Sequence, residues 1–106
     1  MRFKNLTLIC GDTKDKSVFN NVKKFSKYDL IFIDASHEYK DVKKDFEIYS
    51  KMLNKKGIII LHDINLPNSG SKKFWSEIRK KYKKYQIKEI IFDQYHFSFG
   101  YGIILI

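Results

Sequence analysis

Cysteine and proline are nearly missing from this 106-residue chain, which has one of each, Cys10 and Pro67. A single cysteine excludes an internal disulfide framework and a cysteine-built zinc site, and it suits a reducing cytoplasm. Glycine is scarce, and none of it falls into G-x-G-x-x-G or G-x-x-x-x-G-K-[ST], so no phosphate-cradling loop is visible. No apolar run approaches the ~20 residues of a membrane span. The run near the start, L-T-L-I-C at 6–10, is too short for a secretory signal. A cytoplasmic protein without a membrane partner is the expectation. Arginine is reduced to Arg2 and Arg79, so lysine carries the net charge of +9. The lysines are spread along three helical segments, densest as K-K-Y-K-K at 80–84. Base reading and bidentate phosphate contacts favour arginine, so a solvated lysine-rich surface is expected rather than a nucleic-acid partner.

What is present is a foldable core. Apolar residues make up 43% and aromatics 16%, enough for one domain of this length. Leu6–Cys10 reads as a first short strand with Cys10 buried, stopped by Gly11-Asp12-Thr13. Val18, Val22 and Phe25 give a helix over 16–25 one apolar face. The chain then enters the stretch that organises the rest, 28–63. Two apolar runs, Leu30–Ile33 and Ile58–Leu61, each end on an acid, Asp34 and Asp63. Between them Val42, Phe46, Tyr49 and Leu53 recur at helical spacing, and Gly57 suits the helix end. That is a β-α-β unit whose continuous apolar strands are expected to be covered on both faces. A further helix over 71–85 buries Phe74, Trp75, Ile78, Tyr82 and Tyr85, and two strands, 87–92 and about 100–106, close the chain as an antiparallel hairpin. The expected fold is α/β, a three-layer Rossmann-like sandwich.

Chemistry is expected at the strand ends, where open α/β sheets bind ligands. A right-handed crossover brings Asp34 and Asp63 to one edge on neighbouring parallel strands about 4.8 Å apart. Two such carboxylates repel unless a cation lies between them, and a hard divalent ion such as Mg²⁺ fits; the alternative is that each acid caps the segment after it. His37 lies over the same edge as a candidate base, and His62 is either a third ligand or points to the opposite face. His96, in the hairpin connection, does not complete the ligand set of a metal hydrolase. Gly100-Tyr101-Gly102 reads as close packing, and Tyr95, Phe97, Phe99 and Tyr101 as edge filler or a flat pocket.

The combination D-L-I-F-I-D-A-S-H-E-Y-K-D-V-K-K-D, then G-I-I-I-L-H-D, resembles the class I S-adenosylmethionine-dependent methyltransferases, closest to the macrocin O-methyltransferase and cephalosporin-hydroxylase-like subgroup. The resemblance extends back to I-C-G-D-T and forward through F-W-S-E-I-R to F-G-Y-G-I-I-L-I. It implies methyl transfer from S-adenosylmethionine to a hydroxyl of a small molecule or sugar. At matching positions it implies His37 as the catalytic base, Asp12 and Asp34 at the cofactor, and Asp34, Asp63 and His62 at a divalent metal, Mg²⁺ being one candidate. It also implies that residues 1–106 form a single partial domain, strand 3 to strand 7 of an order 3-2-1-4-5-7-6. The Gly-rich cofactor loop would then be absent, a truncated form whose other half comes from elsewhere, a second chain included. The alternative function is a non-catalytic basic module that binds a partner protein or nucleic acid through its exposed sheet edge.

Overall fold

A computed structural model describes residues 5–94 and 97–106. Helix α1 (Lys16–Lys23) leads into β1 (Tyr28–Ile33); α2 (Tyr39–Tyr49) and a 3-10 turn at Ser50–Met52 lead into β2 (Leu53–His62). Then come α3 (Gly70–Lys81), a second 3-10 turn at Lys84–Gln86, β3 (Ile87–Gln94) and β4 (Phe97–Leu105). The four strands lie in the order β1-β2-β4-β3. Strands β1 and β2 are parallel, with Leu30 opposite Ile58 and Ile33 opposite Leu61, whereas β4 is antiparallel to both β2 and β3. The expected α/β class and closing hairpin are therefore present, and the order is that of the last four strands the resemblance implies.

The pleat explains the core. Ile33 on β1, Ile59 and Leu61 on β2 and Ile104 on β4 share one face and are buried against Val42 and Phe46 of α2 and Phe74, Trp75 and Ile78 of α3. The intervening residues point the other way. Among the described residues the helices cover one face only, and β1, expected to be covered on both, leaves Leu30 and Phe32 about half exposed.

Other expectations are corrected locally. Residues 6–10 form no strand; Leu6 and Leu8 are exposed and so is Cys10. Thr7, Leu8 and Ile9 border a cleft beside Leu30 and Ile31 without joining the ladder, and β propensity without ladder bonds does not make a strand. Helix α1 stops at Lys23, which leaves Phe25 exposed. Helix α2 ends at Tyr49, so Leu53 opens β2 instead of continuing a helical stripe. Lys56, at φ 62°, kinks the start of β2, and the β1–β2 register shifts there, between Tyr28 and Leu30. Helix α3 ends four residues early because Tyr82 is extended; Tyr82 stays partly buried, but Tyr85 is exposed.

The closing G-Y-G is a packing device, as expected. A Cβ on Gly102 would lie 2.4 Å from the Trp75 ring, whose Nε1–H donates to Glu89 at 2.7 Å. Gly102→Ala should therefore push Trp75 off β4 and lower stability by about 1–3 kcal/mol, the usual cost of overpacking. Urea unfolding followed by tryptophan fluorescence checks this, and an unchanged midpoint would contradict it.

Candidate functional site

Strands β1 and β2 end side by side, so the residues that follow them meet at one edge. Asp34 follows β1; His62 is the last residue of β2 and Asp63 the next. Asp63 sits at φ 58°, the left-handed region that aspartate tolerates better than most residues. That turn swings its carboxylate back over the strand end while its carbonyl accepts the Ser71 hydroxyl at 2.8 Å. The backbone of the loop after β1 is held by α3: the Gly70 N–H donates to the His37 carbonyl at 2.7 Å. Any Cβ on Gly70 would lie 1.9 Å from the Tyr39 nitrogen, so only glycine admits this approach.

The side chains converge accordingly. His37 Nε2 lies 2.7 Å from Asp63 Oδ2, and His62 Nδ1 lies 2.8 Å from the same oxygen and 3.0 Å from Asp34 Oδ1. Despite these short separations, His62 Nδ1 is buried and makes no hydrogen bond of acceptable direction to either acid. One ligand atom each from Asp34, His62 and Asp63 lies within 4.8 Å of the others, a spacing that a divalent cation could bridge. A cation would relieve both the carboxylate repulsion and the unpaired imidazole nitrogen, so the residues present fit a metal. Among the described residues neither acid's side chain caps the segment that follows it, and the Asp63 carboxylate pairs with His37 instead. The His37 loop is capped by Ser36, which accepts from Glu38 N–H at 3.0 Å and donates to Asp41.

Phe32 and Tyr101 were not anticipated beside this cluster. Their ring centroids lie 6.1 and 5.1 Å from that of His62, on the uncovered face of the sheet. The signal for Tyr101 is its register opposite His62, which emerges only once β4 is paired. Tyr95 and His96, and the side chains of Phe97 and Phe99, lie outside the described residues.

Asp12 is placed apart from the metal-binding geometry. It closes a turn by accepting the Lys14 N–H at 2.8 Å, and it borders a cleft of about 250 Å³ with Ala35 and Ser36. Asp34 lines the adjoining cleft, about 320 Å³, together with Gly11, Thr13 and Ile33. The turn is strapped to α2: Thr13 Oγ1 donates to Asp45 at 2.7 Å, Tyr49 donates to the Thr13 carbonyl, and Lys14 pairs with Asp41 at 2.9 Å. Burial raises the Asp45 carboxyl above its usual value, whereas the hydrogen bonds from Lys14 and Ser36 lower that of Asp41.

A raised folded-state value means that ionised Asp45 costs stability, increasingly as pH climbs from about 4 through that value. Asp45→Asn keeps an acceptor for Thr13 and does not ionise. The variant should gain stability relative to the parent between pH 4 and pH 7 and show no gain below that range. Urea midpoints at the two pH values check the sign.

A family model described as a methyltransferase domain matches residues 3–64, the span that carries Asp12, His37, His62 and Asp63. Among solved structures the fold is similar to the O-methyltransferase from Bacillus cereus in complex with SAH, at 15% identity and a TM-score of 0.55 over 84% of this chain and 46% of that one. It is also similar to a Staphylococcus aureus protein assigned as a caffeoyl-CoA O-methyltransferase, at 22% identity and a TM-score of 0.50 over 90% of this chain and 49% of that one. The chain thus spans about half the length of these neighbours. No curated protein matches it. Among the described residues no helix is long and apolar enough to cross a membrane.

Proposed function

The chain belongs to the methyltransferase domain family, and from that membership we propose that it is an S-adenosylmethionine-dependent O-methyltransferase domain acting on a hydroxyl of a small molecule or sugar. The observation that carries this reading is the convergence of Asp34, His62 and Asp63 at the ends of two parallel strands, with His37 hydrogen-bonded into the same cluster. The Bacillus cereus neighbour, a complex with SAH, supports S-adenosylmethionine as the methyl donor.

In this reading the donor lies along the clefts beside β1. Asp34 forms one wall, and Asp12 offers its second carboxylate oxygen to an amino group such as that of adenine. Asp34, His62 and Asp63 hold a divalent ion; an imidazole beside two carboxylates suits Mn²⁺ as well as Mg²⁺. When bound, such an ion lowers the pKa of an acceptor hydroxyl and S-adenosylmethionine supplies an electrophilic methyl on sulfur. The chain's own part is the proton. An ionised Asp63 only accepts, so the His37 hydrogen sits on Nε2 and the lone pair is left on Nδ1. Asp63 thereby fixes the tautomer and stabilises the imidazolium that forms when Nδ1 takes the hydroxyl proton. His37 is half exposed, so an acceptor can reach it from solvent.

Titration calorimetry with S-adenosylmethionine, with and without Mg²⁺, tests the reading. Saturable heat is expected, and no heat at millimolar cofactor would overturn autonomous catalysis in favour of the non-catalytic module. His37→Gln should lower kcat by about 10²–10⁴-fold while leaving cofactor heat unchanged; equal loss of both would assign His37 to structure. For the ion, electron paramagnetic resonance of added Mn²⁺ should show binding that disappears in Asp63→Asn, a substitution the left-handed backbone accepts. Unaltered Mn²⁺ binding by that variant would remove Asp63 from the ligand set.

A further inference from the structure

Asp45 is a carboxylate that the proposed chemistry leaves unused. It stands on α2 and is 3% exposed, yet it borders both clefts beside β1. The two clefts share Gly11, Thr13, Ala35 and Asp45, so the side chain lies where one opens into the other. Thr13 Oγ1 donates to Oδ1 at 2.7 Å, and among the described residues no other group hydrogen-bonds to this carboxylate. The second oxygen, Oδ2, is not sealed in, because among the described residues only His62 Nδ1 is both fully buried and without a hydrogen-bond partner. It therefore faces the cleft. Such a carboxylate costs stability. Burial first, and then the nearby Asp41 and Asp12, raise its pKa above the usual carboxylate value, which the Thr13 hydrogen bond offsets only in part. Lys14, the one lysine or arginine that borders these clefts, is already paired with Asp41 at 2.9 Å. A buried acid with a spare oxygen in a cleft is a feature of ligand sites. The clefts also reverse the sign of the chain. Asp12, Asp34, Asp41 and Asp45 border them against Lys14 alone, in a protein of net charge +9. Val18, Val22 and Ile31 add apolar wall, so the occupant that suits them is part apolar and carries N–H groups, a positive one above all.

We infer that Asp45 is a binding residue, its Oδ2 accepting a hydrogen bond from an amine of the molecule in the joined clefts while Oδ1 stays with Thr13. This rests on the reading of that molecule as S-adenosylmethionine, which carries two such groups, the adenine amino group and the α-ammonium. Either one satisfies the spare oxygen, and the ammonium adds a charge pair. The Thr13 hydrogen bond also fixes the turn that presents Asp12, so the two acids meet the same occupant from neighbouring positions.

Titration calorimetry at neutral pH, comparing the full chain with Asp45→Asn, tests the inference. The amide keeps a partner for Thr13, and in either orientation it replaces a charged acceptor with a neutral one. Affinity for S-adenosylmethionine should fall about 10- to 100-fold, while the urea midpoint rises or holds. A side chain that only supported the fold would move binding and stability in the same direction. Glu47→Gln, on the exposed side of the same helix, removes an equal charge and should leave the affinity unchanged. Adenosine, which lacks the ammonium, separates the two amines. Weaker adenosine binding by Asp45→Asn would assign Oδ2 to the adenine amino group, and a loss confined to S-adenosylmethionine would assign it to the ammonium. Undiminished affinity in Asp45→Asn, an equal loss in Glu47→Gln, or a lowered urea midpoint in Asp45→Asn would overturn the inference and leave the donor reading standing. No heat from the unaltered chain would overturn the donor reading, and this inference with it.

Discussion

The backbone of Asp63 is the constraint on which the rest of the site depends. Its left-handed φ of 58° ends β2 abruptly, and the turn points the carboxylate at His37 and His62 while the carbonyl points at Ser71. The next residue, Ile64, is buried, and its N–H reaches the Gly100 carbonyl of β4. One residue therefore connects β2, β4, the start of α3 and the loop after β1. An ordinary extended residue here would carry the carboxylate past the edge, and His37 would lose its hydrogen-bond partner.

This convergence rests on the one-sided packing of the sheet. Helices α2 and α3 pack together through Phe46 and Phe74, whose ring centroids lie 5.4 Å apart. Both press on Ile59, Leu61 and Ile104, and so hold the strand ends level. The opposite face carries no such load among the described residues, and it is there that Phe32 and Tyr101 flank His62. Chemistry and uncovered apolar surface thus adjoin at a single side chain.

Much of this was legible in the sequence wherever a local pattern and its tertiary setting agreed. The apolar runs before Asp34 and Asp63 are strands, and the stripe of Val42, Phe46 and Tyr49 is the buried face of a helix. The short connection to the last strand does make a hairpin. Asp34, His37 and Asp63 read as one edge, His62 is left by its spacing between that edge and the opposite face, and the structure brings the four side chains together. What misled was propensity without a partner. Leu6 to Cys10 is as β-prone as Ile87 to Phe92, but it makes no ladder bonds and stays exposed. Phe25 and Tyr85 continue the helical spacing past the point where the backbone leaves the helix. The role of Tyr101 depends on a cross-strand register that no local pattern encodes.

The clamp at Gly70 bears on how such a site can diversify. The segment between Asp63 and Gly70 is pinned at its first residue by Ser71 and at its last by the His37 carbonyl. Asn65, Leu66, Pro67 and Asn68 bulge between those pins, partly or wholly exposed, beside the histidines. Asn68 takes its own left-handed turn, at φ 57°, and Ser69 caps α3 through the Lys72 N–H. Substitutions within that short span alter what an incoming molecule meets without displacing His37 or Asp63. The fold thus separates a replaceable rim from a fixed centre, and variation in sequence has a place to happen at little cost to the cluster of Asp34, His37, His62 and Asp63.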